Sequence, residues 1–134
     1  MTKIIDIEGI GQKSAEALLG VGIKTTEGLL KAAGGAAARK ALAEKTGIDA
    51  KKILEWVNRA DLMRITGVGE EYSDLLEQAG VDTVKELATR RPDNLLAKML
   101  EINEAKKAVR RPPTAAAVSA WVAEAKTLTP AVTY

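Results

Sequence analysis

The sequence predicts an all-α protein: two pseudo-repeated helical units packed as one compact domain. Three observations predict it. Apolar residues recur at helical spacing, runs of β-branched alternation are missing, and the chain repeats itself. Ile7-Glu8-Gly9-Ile10-Gly11, Ala17-Leu18-Leu19, Gly22-Ile23-Lys24-Thr25 and Leu29 return at one offset as Ile65-Thr66-Gly67-Val68-Gly69, Leu75-Leu76, Gly80-Val81-Asp82-Thr83 and Leu87. Ile53-Leu54-Glu55-Trp56-Val57 is echoed by Val118-Ser119-Ala120-Trp121-Val122, at a slightly larger offset that an insertion around Arg110-Arg111-Pro112-Pro113 accounts for. The units are therefore placed at residues 1–64 and 65–134.

Each element has a local reason. A first helix is expected from Gly11 to Leu19, stopped by the glycines at 20 and 22. Thr25 or Thr26 caps a second, which runs to about Ala33 and stops at Gly34-Gly35. A third spans Ala36 to Thr46 and is closed by Gly47. Asp49 caps a fourth, reaching about Arg64, with Ile53, Trp56, Val57 and Ala60 on one face. The second unit repeats the plan from Gly69, with Thr83 as a cap, a helix after Pro92-Asp93, and a last helix from Thr114 to Leu128 closed by Pro130. Trp56 and Trp121 occupy matching places beside Val57 and Val122, so both are assigned to the core. The tail from Pro130 to Tyr134 is too short to fold alone and is either loose or docked.

Composition narrows the function. With 134 residues, 46% apolar and 28% charged, the chain can bury a core, and no apolar run approaches the length of a membrane span. The start, Met1-Thr2-Lys3-Ile4-Ile5-Asp6, does not read as a secretory signal, so a cytoplasmic, intracellular setting is expected. There is no Cys and no His. That removes disulfides, thiolate nucleophiles, imidazole bases and Cys/His metal sites, so no catalytic residue, cofactor or metal is expected. Four aromatic residues, Trp56, Trp121, Tyr72 and Tyr134, are too few for a surface that stacks single-stranded bases.

The informative motif is the Gly-x-Gly turn between helices. Glycines allow the positive φ of a tight hairpin and a close neighbour, while the apolar residue between them, Ile10 or Val68, plugs the gap between two helices. Such a turn presents backbone N–H groups at a helix start, where an anion such as a nucleic-acid phosphate binds. A purely structural turn is the competing reading.

These residues resemble the helix-hairpin-helix family, whose members commonly grip the DNA backbone without reading its sequence. The resemblance extends over nearly the whole chain to an uncharacterised bacterial family of tandem helix-hairpin-helix proteins. It rests on Gly9-Ile10-Gly11 through Gly22-Ile23-Lys24-Thr25-Thr26, Glu55-Trp56-Val57-Asn58, Gly67-Val68-Gly69-Glu70-Glu71-Tyr72-Ser73-Asp74 and Arg110-Arg111-Pro112-Pro113. It implies phosphate-facing positions at Gly9, Ile10, Gly11, Lys13 and Ser14. Two departures stand out: Glu8 precedes the first glycine, and Gln12 stands where the family often has proline. In the second copy Glu70 and Glu71 would repel phosphate, and Asp74, Glu77, Asp82 and Glu86 extend the negative surface.

Basic residues gather at Arg39-Lys40, Lys51-Lys52, Arg90-Arg91 and, most densely, Lys106-Lys107 with Arg110-Arg111. They suit either a phosphate backbone or a solvated surface. Glu70, Asp74 and Glu77 share a helix face, which would serve to dock a basic protein better than to hold a divalent cation. The leading expectation is thus a non-catalytic, sequence-independent binder of duplex DNA, of low affinity, using Gly9 to Ser14 with help from Arg110 and Arg111. The alternative is a protein-interaction or self-associating scaffold using Glu70, Glu71 and Asp74. One gap remains in the plan: no helix precedes the first hairpin. The last helix, with Trp121, is expected to fold back beside Ile7, unless a second copy supplies the cover.

Overall fold

The computed structural model describes residues 3–7, 9–107 and 109–133. Among them are eight helices: α1 (Gln12–Gly20), α2 (Thr26–Ala33), α3 (Ala36–Thr46), α4 (Ala50–Leu62), α5 (Glu70–Gln78), α6 (Val84–Leu87), α7 (Pro92–Lys106) and α8 (Ala115–Ala125). The described residues contain no strand. A single antiparallel bridge joins Lys3 and Thr25, beside a 3-10 turn at Ile4–Asp6. The chain divides into two compact units, Met1–Asp61 with Ala131–Tyr134, and Leu62–Pro130.

In the first unit the expected punctuation is present. The Thr25 hydroxyl accepts from the Gly28 N–H at 3.1 Å, so Thr25 rather than Thr26 caps α2. Gly47, at φ 74°, ends α3 in the left-handed conformation, and Asp49 Oδ1 accepts from the Lys51 N–H at 3.0 Å to start α4. Ile4, Leu18, Leu29, Ile53 and Val57 are completely buried or nearly so.

Gly34 has a different reason to be glycine. Its φ of −67° is ordinary helix, but a Cβ there would lie 2.5 Å from the Ala131 carbonyl oxygen and 2.8 Å from that of Leu30. The tail occupies that space. The Thr133 N–H donates to the Gly34 carbonyl at 2.8 Å, and Val132 is buried. Arg39 completes the dock: its buried guanidinium donates to the carbonyls of Ala33, Gly34 and Thr133. The described part of the tail is thus docked, while Tyr134 lies outside the described residues.

The second unit follows the same local logic. Thr83 accepts from the Glu86 N–H at 3.2 Å and Thr114 from the Ala117 N–H at 3.1 Å. The last helix ends at Ala125, earlier than expected, because the Thr127 and Leu128 amides turn back to the Glu124 and Ala125 carbonyls in a tightened final turn. Ile65, Leu75, Leu76, Val81, Leu87, Met99 and Val118 form the core of this unit, together with Trp121.

Gly34→Ala is expected to cost about 1–3 kcal/mol through overpacking against the tail. Urea denaturation would read the loss, and faster proteolytic clipping of the tail would locate it.

Candidate nucleic-acid interface

Both glycine bends are built around a buried tryptophan. Gly9 has φ +90°, and a Cβ on it would lie 3.9 Å from Trp56 Nε1. Gly67 has φ +88°, and a Cβ on it would lie 3.5 Å from Trp121 Nε1. Each indole is 3% exposed, which makes these residues core, as their apolar neighbours predicted. Behind each glycine the plug is seated the same way. Ile10 and Val68 are buried, and their N–H groups donate to the carbonyls of Ile7 and Ile65, both at 3.1 Å.

This arrangement corrects the fold-back expectation. The first hairpin is covered by α4 of its own unit through Trp56, while Trp121 on α8 sits against Gly67 and meets Tyr72 of the second unit in a tilted ring pair, centroids 5.1 Å apart. Each bend receives the helix that closes its own unit.

The first bend leaves a helix start open. Gly11 is extended, at φ −87° and ψ 167°, and no side chain caps α1. Among the described residues, the Gln12, Lys13 and Ser14 amides therefore have no side-chain acceptor at the first turn. Gly9, Gly11, Gln12 and Lys13 are exposed and Ser14 is half-buried. Ile10 plays another part: its amide is engaged and its side chain buried, so it shapes the bend without facing solvent. Glu8, whose charge was a concern, lies outside the described residues.

Two basic side chains join this turn that the motif did not specify. Lys13 and Ser14 line an open cleft of about 430 Å³ with Thr46, Gly47, Asp49 and Lys52. Lys52 comes from the first turn of α4, so two lysines and two helix starts meet in one cleft. Asp49 contributes a carboxylate there, partly committed to the Lys51 amide. Arg59, also on α4, brings Nη1 to 3.4 Å from where a Gly9 Cβ would stand. The signal for Arg59 was its register: it lies three residues beyond Trp56, as Glu124 lies three beyond Trp121.

At the second bend that register places an acid. Glu124 Oε1 accepts from the Thr66 N–H at 3.0 Å, and the Thr66 hydroxyl donates to Oε2 at 3.3 Å. Glu70 and Glu71 stand exposed at the start of α5. Arg110 lies with Nε 4.0 Å from Glu71 Oε1, and the Arg111 carbonyl accepts from the Tyr72 hydroxyl at 2.8 Å. The residues expected to assist phosphate binding thus meet the acidic helix of the second unit. Their ion pair is exposed and contributes little to stability. Asp74 accepts from Gln78 at 2.9 Å, and among the described residues no acidic group of three forms a metal-ligand set. Two of the basic clusters are partly committed to structure: Arg39 caps the tail dock, and Arg90 binds Glu86 and the Gly80 carbonyl. Among the described residues no helix is long and apolar enough to cross a membrane.

Residues 8–128 match the model of a family described as Domain of unknown function (DUF4332). No curated protein and no solved structure matches the chain.

Gly9→Ala forces an L side chain into positive φ and is expected to cost roughly 1–2 kcal/mol. Gly11→Ala, in extended backbone with nothing within 4 Å of the new Cβ, should stay within about 0.5 kcal/mol of the unaltered chain. Thermal unfolding of the pair reads the contrast.

Proposed function

The chain belongs to this domain-of-unknown-function family, and we propose from its own geometry that it is a non-catalytic module that grips the phosphate backbone of duplex DNA without reading sequence. The reading takes the fold as two helix-hairpin-helix units in tandem. The matched glycine angles, bend hydrogen bonds and tryptophans support that. An intracellular setting goes with it.

One observation carries the reading: Lys13 and Lys52 converge on the cleft at which the uncapped start of α1 opens. Backbone amides and the helix dipole favour a negatively charged oxygen at that start, and lysines on the same cleft add charge that a phosphodiester backbone can follow. Contacts of this kind position a duplex and carry no base information. The alternative, a protein-interaction or self-associating scaffold, is supported by the exposed Glu70 and Glu71 on the second unit.

Fluorescence anisotropy with a short duplex at two salt concentrations tests the proposal. Lys13→Glu and Lys52→Glu are each expected to weaken binding about tenfold, and each loss should flatten the slope of log K against log salt by about one. Absence of binding at low salt would overturn the proposal. Binding indifferent to both changes would move the contact away from this cleft. In the scaffold reading, reversing Glu70 and Glu71 to lysine changes the proteins co-purified.

A further inference from the structure

Among the described residues three large apolar side chains stand exposed: Ile5, Leu19 and Leu100. One alone would be ordinary surface, but two of them meet. Ile5 and Leu19 line an open groove of about 390 Å³ together with the buried Ile4 and Ala15. One wall is preformed, because Lys3 pairs with Thr25 in an antiparallel bridge and the Ile4 N–H donates to the Lys24 carbonyl at 3.2 Å. Lys3 and Lys24 also line the groove, both exposed, and neither has an ion-pair partner among the described residues. An apolar groove that carries two unpaired cations suits an occupant that is aliphatic and acidic.

The chain itself carries such a surface. On α7 the third exposed residue, Leu100, lies one turn from the half-buried Leu96 and three residues from the exposed Ala97, so the three share a face. Glu104 continues the same row and Glu101 adjoins it. Both acids are exposed, with no ion-pair partner among the described residues. The acidic start of α5 fits less well, since its Tyr72 is half-buried and the Tyr72 hydroxyl is committed to the Arg111 carbonyl. We propose that the groove of Ile5 and Leu19 receives the Leu96 and Leu100 face of α7 from a second copy of the chain, with Glu101 and Glu104 against Lys3 and Lys24. Aliphatic anchors one turn apart on a helix fit an apolar groove, and the flanking charges fix how the helix lies in it. The groove belongs to the first unit and α7 to the second, so the contact joins unlike surfaces and copies associate head to tail. This gives the self-associating reading its own surfaces and does not rest on the phosphate cleft of Lys13 and Lys52.

Sedimentation velocity of the full chain over a concentration series, at low salt and without nucleic acid, tests the proposal. The unaltered chain should sediment faster as its concentration rises. Leu19→Glu and Leu100→Glu, both at exposed positions, should each weaken association about tenfold or more, because each sets a carboxylate into the contact. Reversing the groove charges, Lys3→Glu with Lys24→Glu, should leave a monomer, and so should reversing the helix charges, Glu101→Lys with Glu104→Lys. Mixed in equal amounts, these two charge variants should associate with each other, since every groove then meets a helix of opposite charge. A misfolded variant would not give that rescue. A monomer at every concentration of the unaltered chain overturns the proposal. So does association that survives Leu19→Glu or Leu100→Glu, or a mixture of the charge variants that stays monomeric.

Discussion

The structure depends on the close approach of an indole edge to a glycine held at positive φ. A side chain at Gly9 or Gly67 would be strained in the left-handed region, although its Cβ would meet the nitrogen of Trp56 or Trp121 only at ordinary contact distance. The bend that these angles make lets the helix that closes each unit lie across it, and the tryptophan supplies a large apolar area to fix it there. The plugs Ile10 and Val68 fill the space beneath, with their amides turned inward to Ile7 and Ile65. That crossing also fixes the register of everything further along α4 and α8, so it determines which side chain arrives at the turn.

A shared frame with opposite charge follows from that register. The first bend meets a guanidinium and adjoins a cleft with two ammonium groups; the second meets a carboxylate already bonded to it. Hydrogen bonds to ionised groups outweigh neutral ones, so the residue at this position contributes to the chemistry of the turn. Gly-Ile-Gly and Gly-Val-Gly are nearly the same motif. What differs is the helix laid across them and the residues that follow, Gln12-Lys13 after the first and Glu70-Glu71 after the second.

Much of the architecture was legible because its causes are local. Thr25, Thr83 and Thr114 cap helices through their own hydroxyls, Gly47 ends α3 by its own φ, and the tryptophans are buried where their apolar neighbours indicated. The candidate site was legible only in part. Gly9, Gly11, Lys13 and Ser14 came from the motif, but Lys52 joins Lys13 because the first turns of α1 and α4 line one cleft, a proximity no spacing encodes. Arg39 and Arg90 read as surface charge because nothing nearby in sequence shows the carbonyls they bind. The fold-back of Trp121 was drawn from repeat order, which sets the tryptophan helix before the second hairpin. In space the same helix type closes the hairpin that precedes it.

The dock of the tail has a consequence for biosynthesis. Residues 131–133 complete the surroundings of Arg39 and Gly34, yet they are translated after the entire second unit. Domains generally fold as they emerge, amino-terminal part first. Here the first unit emerges from the ribosome with its buried arginine still lacking one of its carbonyl acceptors, and it reaches its final form only after residues 131–133 have followed the second unit out.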